Sequence, residues 1–81
     1  MAKTILIVDD SSSLRQVVNM ALTRAGYDVI EGVDGMDALT KLDGRKINLI
    51  VSDVNMPRMD GIAFVTQVKQ NPRYKFTPVI M

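Results

Sequence analysis

Short apolar runs alternate along the chain with segments in which apolar residues recur every three or four positions. The run Thr4 to Val8 (TILIV) is continuously apolar and rich in β-branched residues, which is typical of a strand buried on both faces. Three further runs predict strands over 27–31 (YDVIE), 48–52 (NLIVS) and 77–81 (TPVIM). The pattern therefore predicts four strands.

The segment after the first run has the spacing of an amphipathic helix. Ser11 or Ser12 can cap its start, and Gly26 occupies the place of a glycine that follows a helix end. The apolar residues recur at helical intervals: Leu14, Val17, Val18, Ala21, Leu22 and Ala25. We expect this stripe to be the inward face of the first helix.

Two more helices are predicted from acidic caps. Asp34 can cap the second, which ends at Gly44, and Asp60 can cap the third, which ends before Pro72. The predicted inward residues are Ala38, Leu39 and Leu42 in the second helix, and Ile62, Val65 and Val68 in the third.

The alternation β-α-β-α-β-α-β predicts an α/β fold. Connections of this length suit parallel crossovers, so we expect a doubly wound parallel sheet with helices on both faces. The 81 residues are enough for one small domain, and the chain has no segment with linker composition. We therefore predict a single domain over 1–81.

Composition excludes several kinds of chemistry. The chain has no cysteine and no histidine, which excludes disulfides, thiol catalysis, zinc thiolate sites and histidine-based triads. Its 10 basic and 9 acidic residues give a net charge of +1, and the basic residues are scattered. We expect no nucleic-acid surface, no membrane contact and a cytoplasmic location.

Acidic residues follow two of the predicted strands. Asp9 and Asp10 come directly after the first strand, and Asp53 comes directly after the third. Ligands of open α/β sheets bind beyond the carboxyl ends of the strands. If the first and third strands are neighbours, the three carboxylates meet at one place.

Three carboxylates at one place repel one another unless a cation joins them. Mg²⁺ prefers oxygen ligands, and without histidine or cysteine a site for Mg²⁺ or Mn²⁺ fits better than one for zinc. Asp9 and Asp10 are then the metal ligands. Asp53, which lies singly on a central strand, is the best-placed acceptor of a phosphoryl group.

Each carboxylate also has a purely structural interpretation. Asp9 and Asp10 could favour the positive end of the helix that follows them, and Asp53 could cap a loop. Only the combination of acidic residues after both strands favours the metal site.

Four stretches together resemble a known family. ILIVDDS, AGYDV, DGMDAL and LIVSDVNMPRMDG follow in the order and spacing of the receiver domain of two-component response regulators, over all 81 residues. The CheY-like, chemotaxis-type single-domain members resemble this sequence most, and the receiver of a longer regulator would show much the same pattern. The resemblance implies the flavodoxin-like strand order 2-1-3-4-5, for which CheY is a standard example.

The resemblance also implies roles for individual residues. Asp53 would be the phosphoacceptor, Asp10 and Asp53 would bind Mg²⁺ directly, and Asp9 would act mainly through water. Asn55 would give its backbone carbonyl to the metal, and its side chain would lie near the water that attacks in dephosphorylation. Pro57 and Gly61 would shape the loop between the third strand and the third helix.

The implied function is a phospho-accepting signalling switch rather than a turnover enzyme. Its partners would be a sensor histidine kinase and a flagellar motor switch or other chemotaxis protein. Two alternatives stay open. One is a Mg²⁺-dependent phosphatase with an aspartate nucleophile, although such enzymes usually carry D-x-D after the first strand. The other is an interaction fragment without chemistry.

The end of the chain departs from the family pattern. The last strand and last two helices are missing, so we expect a C-terminally incomplete domain, β1-α1-β2-α2-β3-α3-β4, with impaired phosphotransfer. An unpaired apolar edge favours association. We therefore expect a homo-oligomer formed through the edge of the fourth strand.

Overall fold

Strands and helices alternate in the order that the sequence predicts. The computed structural model describes residues 2–53 and 59–81. In chain order the elements are β1 (Thr4–Val8), α1 (Ser12–Arg24), β2 (Asp28–Gly32), α2 (Gly35–Lys41), β3 (Leu49–Ser52), α3 (Gly61–Gln70) and β4 (Val79–Ile80).

The strands form one parallel sheet in the order β2-β1-β3-β4. The central β1 pairs with β2 and β3, with Ile5 opposite both Val29 and Leu49. β4 pairs with β3, with Ile50 opposite Val79. This confirms the α/β fold with a doubly wound parallel sheet, and it makes β1 and β3 neighbours.

The hydrophobic core lies between one face of the sheet and helices α2 and α3. Its buried members come from strands, helices and loops: Leu6, Val8, Ala38, Ile47, Ile50, Phe64, Val68 and Tyr74. Ile30, Leu39, Leu42, Met59 and Val79 pack against this cluster. Tyr74 was not predicted to be buried.

All three helix caps follow the predictions. The side chains of Ser11, Asp34 and Asp60 accept hydrogen bonds from the N–H groups three residues later, at 3.3, 2.8 and 2.8 Å. Gly26 has φ +95°, the left-handed conformation expected just after a helix end.

The inward face of α3 differs from the prediction. Ile62 is 64% exposed, whereas Phe64 and Val68 are fully buried. Gly61 is buried at the first helical position, and a residue turns by about 100° relative to its neighbour. Because Gly61 faces the core, the next residue, Ile62, points away from it. The prediction that Ile62 faces inward is wrong.

The apolar stripe of α1 is only partly covered. Helix α1 packs mainly on β1 and β2. Val18 and Leu22 are half-buried there, but Leu14 and Val17 are 56% and 63% exposed. The prediction that the whole stripe faces inward is wrong for Leu14 and Val17, and also for Ala21 and Ala25, which are exposed.

The last strand is shorter than the predicted 77–81. Pro78 has no N–H to give to the sheet, and its carbonyl accepts from the N–H of Ile50 at 3.0 Å, so regular pairing begins at Val79. Among the described residues, no helix combines the length and apolarity that crossing a membrane requires. The incomplete domain, the association through β4 and the cytoplasmic location stay predictions.

Candidate metal centre

The neighbouring strands β1 and β3 bring three acidic side chains together. Val8 lies opposite Ser52 in the sheet register, so Asp9 and Asp53 leave adjacent strands at the same level. Asp9, Asp10 and Asp53 each offer a carboxylate oxygen, and these oxygens all lie within 4.8 Å of one another. The predicted meeting of the three carboxylates is confirmed.

Backbone hydrogen bonds extend the sheet beyond the strand ends and fix two of these residues. The N–H of Asp53 donates to the Val8 carbonyl at 2.8 Å, and the N–H of Asp9 donates to the Gly32 carbonyl at 3.1 Å. The Ser52 hydroxyl donates to the carbonyl of Asp53 at 3.0 Å. The backbones of Asp9 and Asp53 are therefore held in place at the carboxyl ends of the two central strands.

The three acidic residues differ in exposure. Asp10 is exposed, whereas Asp9 and Asp53 are half-buried. One oxygen of the Asp9 carboxylate accepts from the N–H of Ser11 at 2.8 Å. The cluster therefore opens to solvent on the side of Asp10, while Asp9 is partly engaged by its own loop.

The donor set fits a hard divalent cation. Mg²⁺ binds oxygen at about 2.0–2.1 Å in an octahedron, so two of its ligands lie about 3 Å apart when adjacent and about 4.2 Å when opposite. Oxygens within 4.8 Å of one another need only small shifts to reach these separations. A cation between them would also offset the repulsion of three close carboxylates.

A basic residue that the sequence analysis missed lies next to this cluster. The guanidinium of Arg15 donates to the backbone carbonyl of Asp9 at 2.6 Å and to the Glu31 carboxylate at 3.1 Å. The signal in the sequence was an arginine in the first turn of the helix that follows the acidic pair. Its partner Glu31 lies on strand β2, 16 residues further along the chain, so sequence spacing alone could not identify the contact.

Two residues to which the family resemblance gave roles, Asn55 and Pro57, lie outside the described residues. Gly61 is the buried first residue of α3. Its predicted part in shaping the preceding loop stays a prediction.

Comparison with known proteins agrees with this fold. The family model of the response regulator receiver domain matches residues 5–81. Protein PilG of Pseudomonas aeruginosa is 40% identical over 77 residues, which cover 95% of this chain and 57% of PilG. The chain spans about three fifths of the length of PilG and of chemotaxis protein CheY1 of Helicobacter pylori.

Solved structures extend the similarity to three dimensions. Chemotaxis response regulator CheY4 of Vibrio cholerae is 46% identical with a TM-score of 0.93, covering 98% of this chain and 66% of CheY4. Response regulator TrrA of Thermotoga maritima, solved in complex with Mg²⁺-BeF, is 27% identical with a TM-score of 0.81, covering 88% of this chain and 62% of TrrA. The strand order, the acidic edge of the sheet and the match over 5–81 agree: this chain belongs to the response regulator receiver family, with CheY-like chemotaxis regulators among its relatives.

Proposed function

We propose that this chain is a phospho-accepting switch of two-component signalling, in which Asp53 receives the phosphoryl group. The single observation that carries this proposal is the convergence of three carboxylates within 4.8 Å at the carboxyl edge of the sheet. Asp53 is the residue of the three that follows β3, and its backbone is fixed by the hydrogen bond to Val8.

In the transfer step the Asp53 carboxylate reacts with a phosphoryl donor. A carboxylate oxygen attacks phosphorus, the new O–P bond forms, and the bond from phosphorus to the donor's nitrogen or oxygen breaks. The leaving group keeps the electron pair of that bond. The product is an acyl phosphate on Asp53, whose added charge lies at the start of the loop that leads to α3.

We propose Mg²⁺ as the cation of the site, with Mn²⁺ as a substitute. Asp10 and Asp53 would bind it directly, Asp9 would act mainly through water, and the backbone carbonyl of Asn55 would add a further oxygen. When bound, the cation would neutralise charge on the incoming phosphoryl group. The Mg²⁺-BeF complex of the relative TrrA supports this choice.

The partners follow from the family. A phosphohistidine of a sensor histidine kinase is the proposed donor, and a chemotaxis protein such as the flagellar motor switch is the proposed target. Support comes from the similarity to CheY4, which is described as a chemotaxis response regulator. Dephosphorylation would use a water near the Asn55 side chain.

Acetyl phosphate provides a direct test of the proposed chemistry. The purified chain is incubated with acetyl phosphate and Mg²⁺, and its intact mass is measured. We expect one added phosphoryl group in the wild type and in Asp60→Asn, which keeps a good helix cap outside the cluster. Asp53→Asn should gain none.

Three outcomes would contradict the proposal. They are an unmodified wild type, a phosphoryl group that persists in Asp53→Asn, and a gain that is unaffected by removing divalent cations with a chelator. A separate turnover assay with a phosphate ester checks the phosphatase alternative. Sustained release of phosphate over many cycles would favour that enzyme instead.

A further inference from the structure

A chain of side-chain contacts connects helix α1 and strand β2 to the peptide group between the two adjacent acidic residues. Nη1 of Arg15 donates to the Asp9 carbonyl oxygen at 2.6 Å, and Nε donates to the Glu31 carboxylate at 3.1 Å. The Arg15 side chain is only 13% exposed. A charge-assisted contact of this length, shielded from water, is among the stronger hydrogen bonds in proteins.

The carboxylate that pairs with Arg15 is itself fixed from the other side. The Asn19 amide donates to the second oxygen of Glu31 at 2.8 Å, and the hydroxyl of Thr23 donates to the Asn19 side-chain oxygen at 2.9 Å. Asn19 and Thr23 continue along the same helix as Arg15. The contacts with Glu31 therefore hold the guanidinium between α1 and β2, in the position from which it also donates to the Asp9 carbonyl.

The contacted carbonyl belongs to the peptide unit that joins Asp9 to Asp10. That unit is planar, so fixing its oxygen fixes the direction in which the chain enters Asp10. The side chain of Asp10 is exposed, and no side-chain hydrogen bond of Asp10 to another described residue is present. Its placement therefore depends on the backbone from which it projects.

The contact adds no net charge to the cluster. Arg15 and Glu31 form an ion pair, so the guanidinium charge is offset beside the three carboxylates. If Arg15 acted through charge alone, it would weaken the attraction of the cluster for a cation. The geometry points to an effect on position.

We propose that Arg15 is a positioning residue of the metal site, which acts through the Asp9 carbonyl to orient the Asp10 carboxylate toward the cation. This role rests on the function proposed above. Groups that orient metal ligands commonly change metal affinity by about 10- to 100-fold.

A charge-matched double variant tests this role. Arg15→Met combined with Glu31→Gln removes one positive and one negative charge, so the net charge is unchanged while the contact to Asp9 is lost. Asn19→Ala is the control, because it breaks the same network but leaves the Arg15 contact to Asp9. NMR or calorimetric titration with Mg²⁺ gives the affinity of each folded variant.

Two readouts are expected to move together. In the metal-free protein, the ¹³C shift of the Asp9 carbonyl and the ¹⁵N shift of the Asp10 amide should change in the double variant and stay near the wild-type values in Asn19→Ala. The Mg²⁺ affinity of the double variant should fall by about tenfold. Asn19→Ala should bind Mg²⁺ as the wild type does, although it is less stable.

The outcomes separate this role from the function on which it rests. Equal Mg²⁺ affinity of the wild type and the double variant would overturn the role of Arg15 alone. Equal loss in Asn19→Ala and the double variant would also overturn it, since general destabilisation would then explain both. A wild type that binds no Mg²⁺ would overturn the proposed function as well, and the NMR shifts would still report whether Arg15 fixes the Asp9 peptide.

Arg15→Lys provides a second variant in case the double variant does not fold. Lysine keeps the positive charge but lacks the planar fork that reaches two acceptors at once. We expect it to fold and to bind Mg²⁺ more weakly than the wild type. Full wild-type affinity and an unchanged Asp9 carbonyl shift in Arg15→Lys would contradict a role for the two-pronged contact.

Discussion

The phenol of Tyr74 donates a hydrogen bond to the backbone carbonyl of Arg45 at 2.7 Å, which joins two loops that are 29 residues apart in sequence. The same oxygen accepts from the N–H of Gly44 at 2.9 Å. The Tyr74 residue is 2% exposed, and its ring belongs to the core. One loop leads into β3 and the other into β4. The connection therefore lies at the amino-terminal end of the strands, opposite the acidic cluster at their carboxyl ends.

Removing this hydroxyl should destabilise the fold without affecting the acidic cluster. Tyr74→Phe leaves the Arg45 carbonyl and the Gly44 N–H without their partner, so we expect the free energy of unfolding to fall by about 1–3 kcal/mol. Urea denaturation measures this change. Tyr27→Phe, at a more exposed tyrosine, should cost less than about 0.5 kcal/mol. Equal effects of the two variants would contradict the structural role of the Tyr74 hydroxyl.

The close approach of α2 to Met59 should make Gly35 intolerant of a side chain. A Cβ at Gly35 would lie 2.8 Å from the Cβ of Met59 and 3.0 Å from its carbonyl oxygen. We expect Gly35→Ala to lower the free energy of unfolding by about 1–3 kcal/mol, because the backbone must move.

Gly26→Ala is the comparison, because its effect should come from the backbone alone. A Cβ there would contact nothing within 4 Å, but Gly26 has φ +95°. We expect a cost of about 1 kcal/mol. Crystal structures of the two variants should differ accordingly, with Met59 displaced only in Gly35→Ala. An undisplaced Met59 in a fully stable Gly35→Ala would contradict the predicted clash.

The burial pattern of α3 predicts opposite responses at two apolar residues. Phe64 is fully buried, so Phe64→Ala should cost about 3–5 kcal/mol or abolish folding. Ile62 is 64% exposed, so Ile62→Lys should change the free energy of unfolding by less than about 0.5 kcal/mol. Thermal denaturation followed by circular dichroism compares the two. A large loss in Ile62→Lys would mean that Ile62 is covered in solution.

The exposed pair of Asp43 and Arg45 predicts a dependence of stability on pH. The side-chain hydrogen bonds from Arg45, at 2.8 and 2.9 Å, lower the pKa of Asp43 from 3.8 to about 2. A lowered pKa in the folded state means that the pair stabilises the fold above pH 3.8. That contribution is lost as the pH falls through about 2.

Asp43→Asn should therefore be less stable than the wild type at neutral pH, and the difference should disappear near pH 2. Urea denaturation between pH 2 and pH 7 measures it, in low salt because salt screens an exposed pair. Asp28→Asn, at another exposed aspartate, is the control. A difference that stays constant over this pH range would contradict the assignment to the ion pair.

Divalent cations should stabilise the folded chain through the acidic cluster. A ligand that binds only the folded state at 100 times its dissociation constant adds about 2.7 kcal/mol. We expect Mg²⁺ to raise the melting temperature of the wild type and of Asp60→Asn, but not that of Asp10→Asn or Asp53→Asn. A similar rise in all four proteins would indicate a general salt effect and would contradict binding at the cluster.

The local features of this fold were predictable from the sequence because each depends on neighbouring residues. Ser11, Asp34 and Asp60 cap helices whose N–H groups lie three residues further on, and Gly26 follows a helix end. The limits of β1, Thr4–Val8, agree with the prediction because its apolar run is unbroken.

Features that depend on distant contacts were not predictable in this way. Asp53 meets Asp9 only if β1 and β3 are neighbours, and the apolar pattern does not say which strands are neighbours. Only the family resemblance supplied the strand order. The place of Phe64 depends on how α3 is rotated against the sheet. The contacts of Tyr74 with Arg45 and of Arg15 with Glu31 join segments that no local pattern connects.

The parallel direction of all four strands places the acidic cluster and the Tyr74 contacts at opposite ends of the sheet. Substitutions near Tyr74 would then change the stability of the fold and leave the acidic cluster unchanged, whereas substitutions near Asp10 would change the cluster with little effect on the loops around Tyr74. Such a division would let related sequences change the proposed ion site and the temperature tolerance of the protein independently.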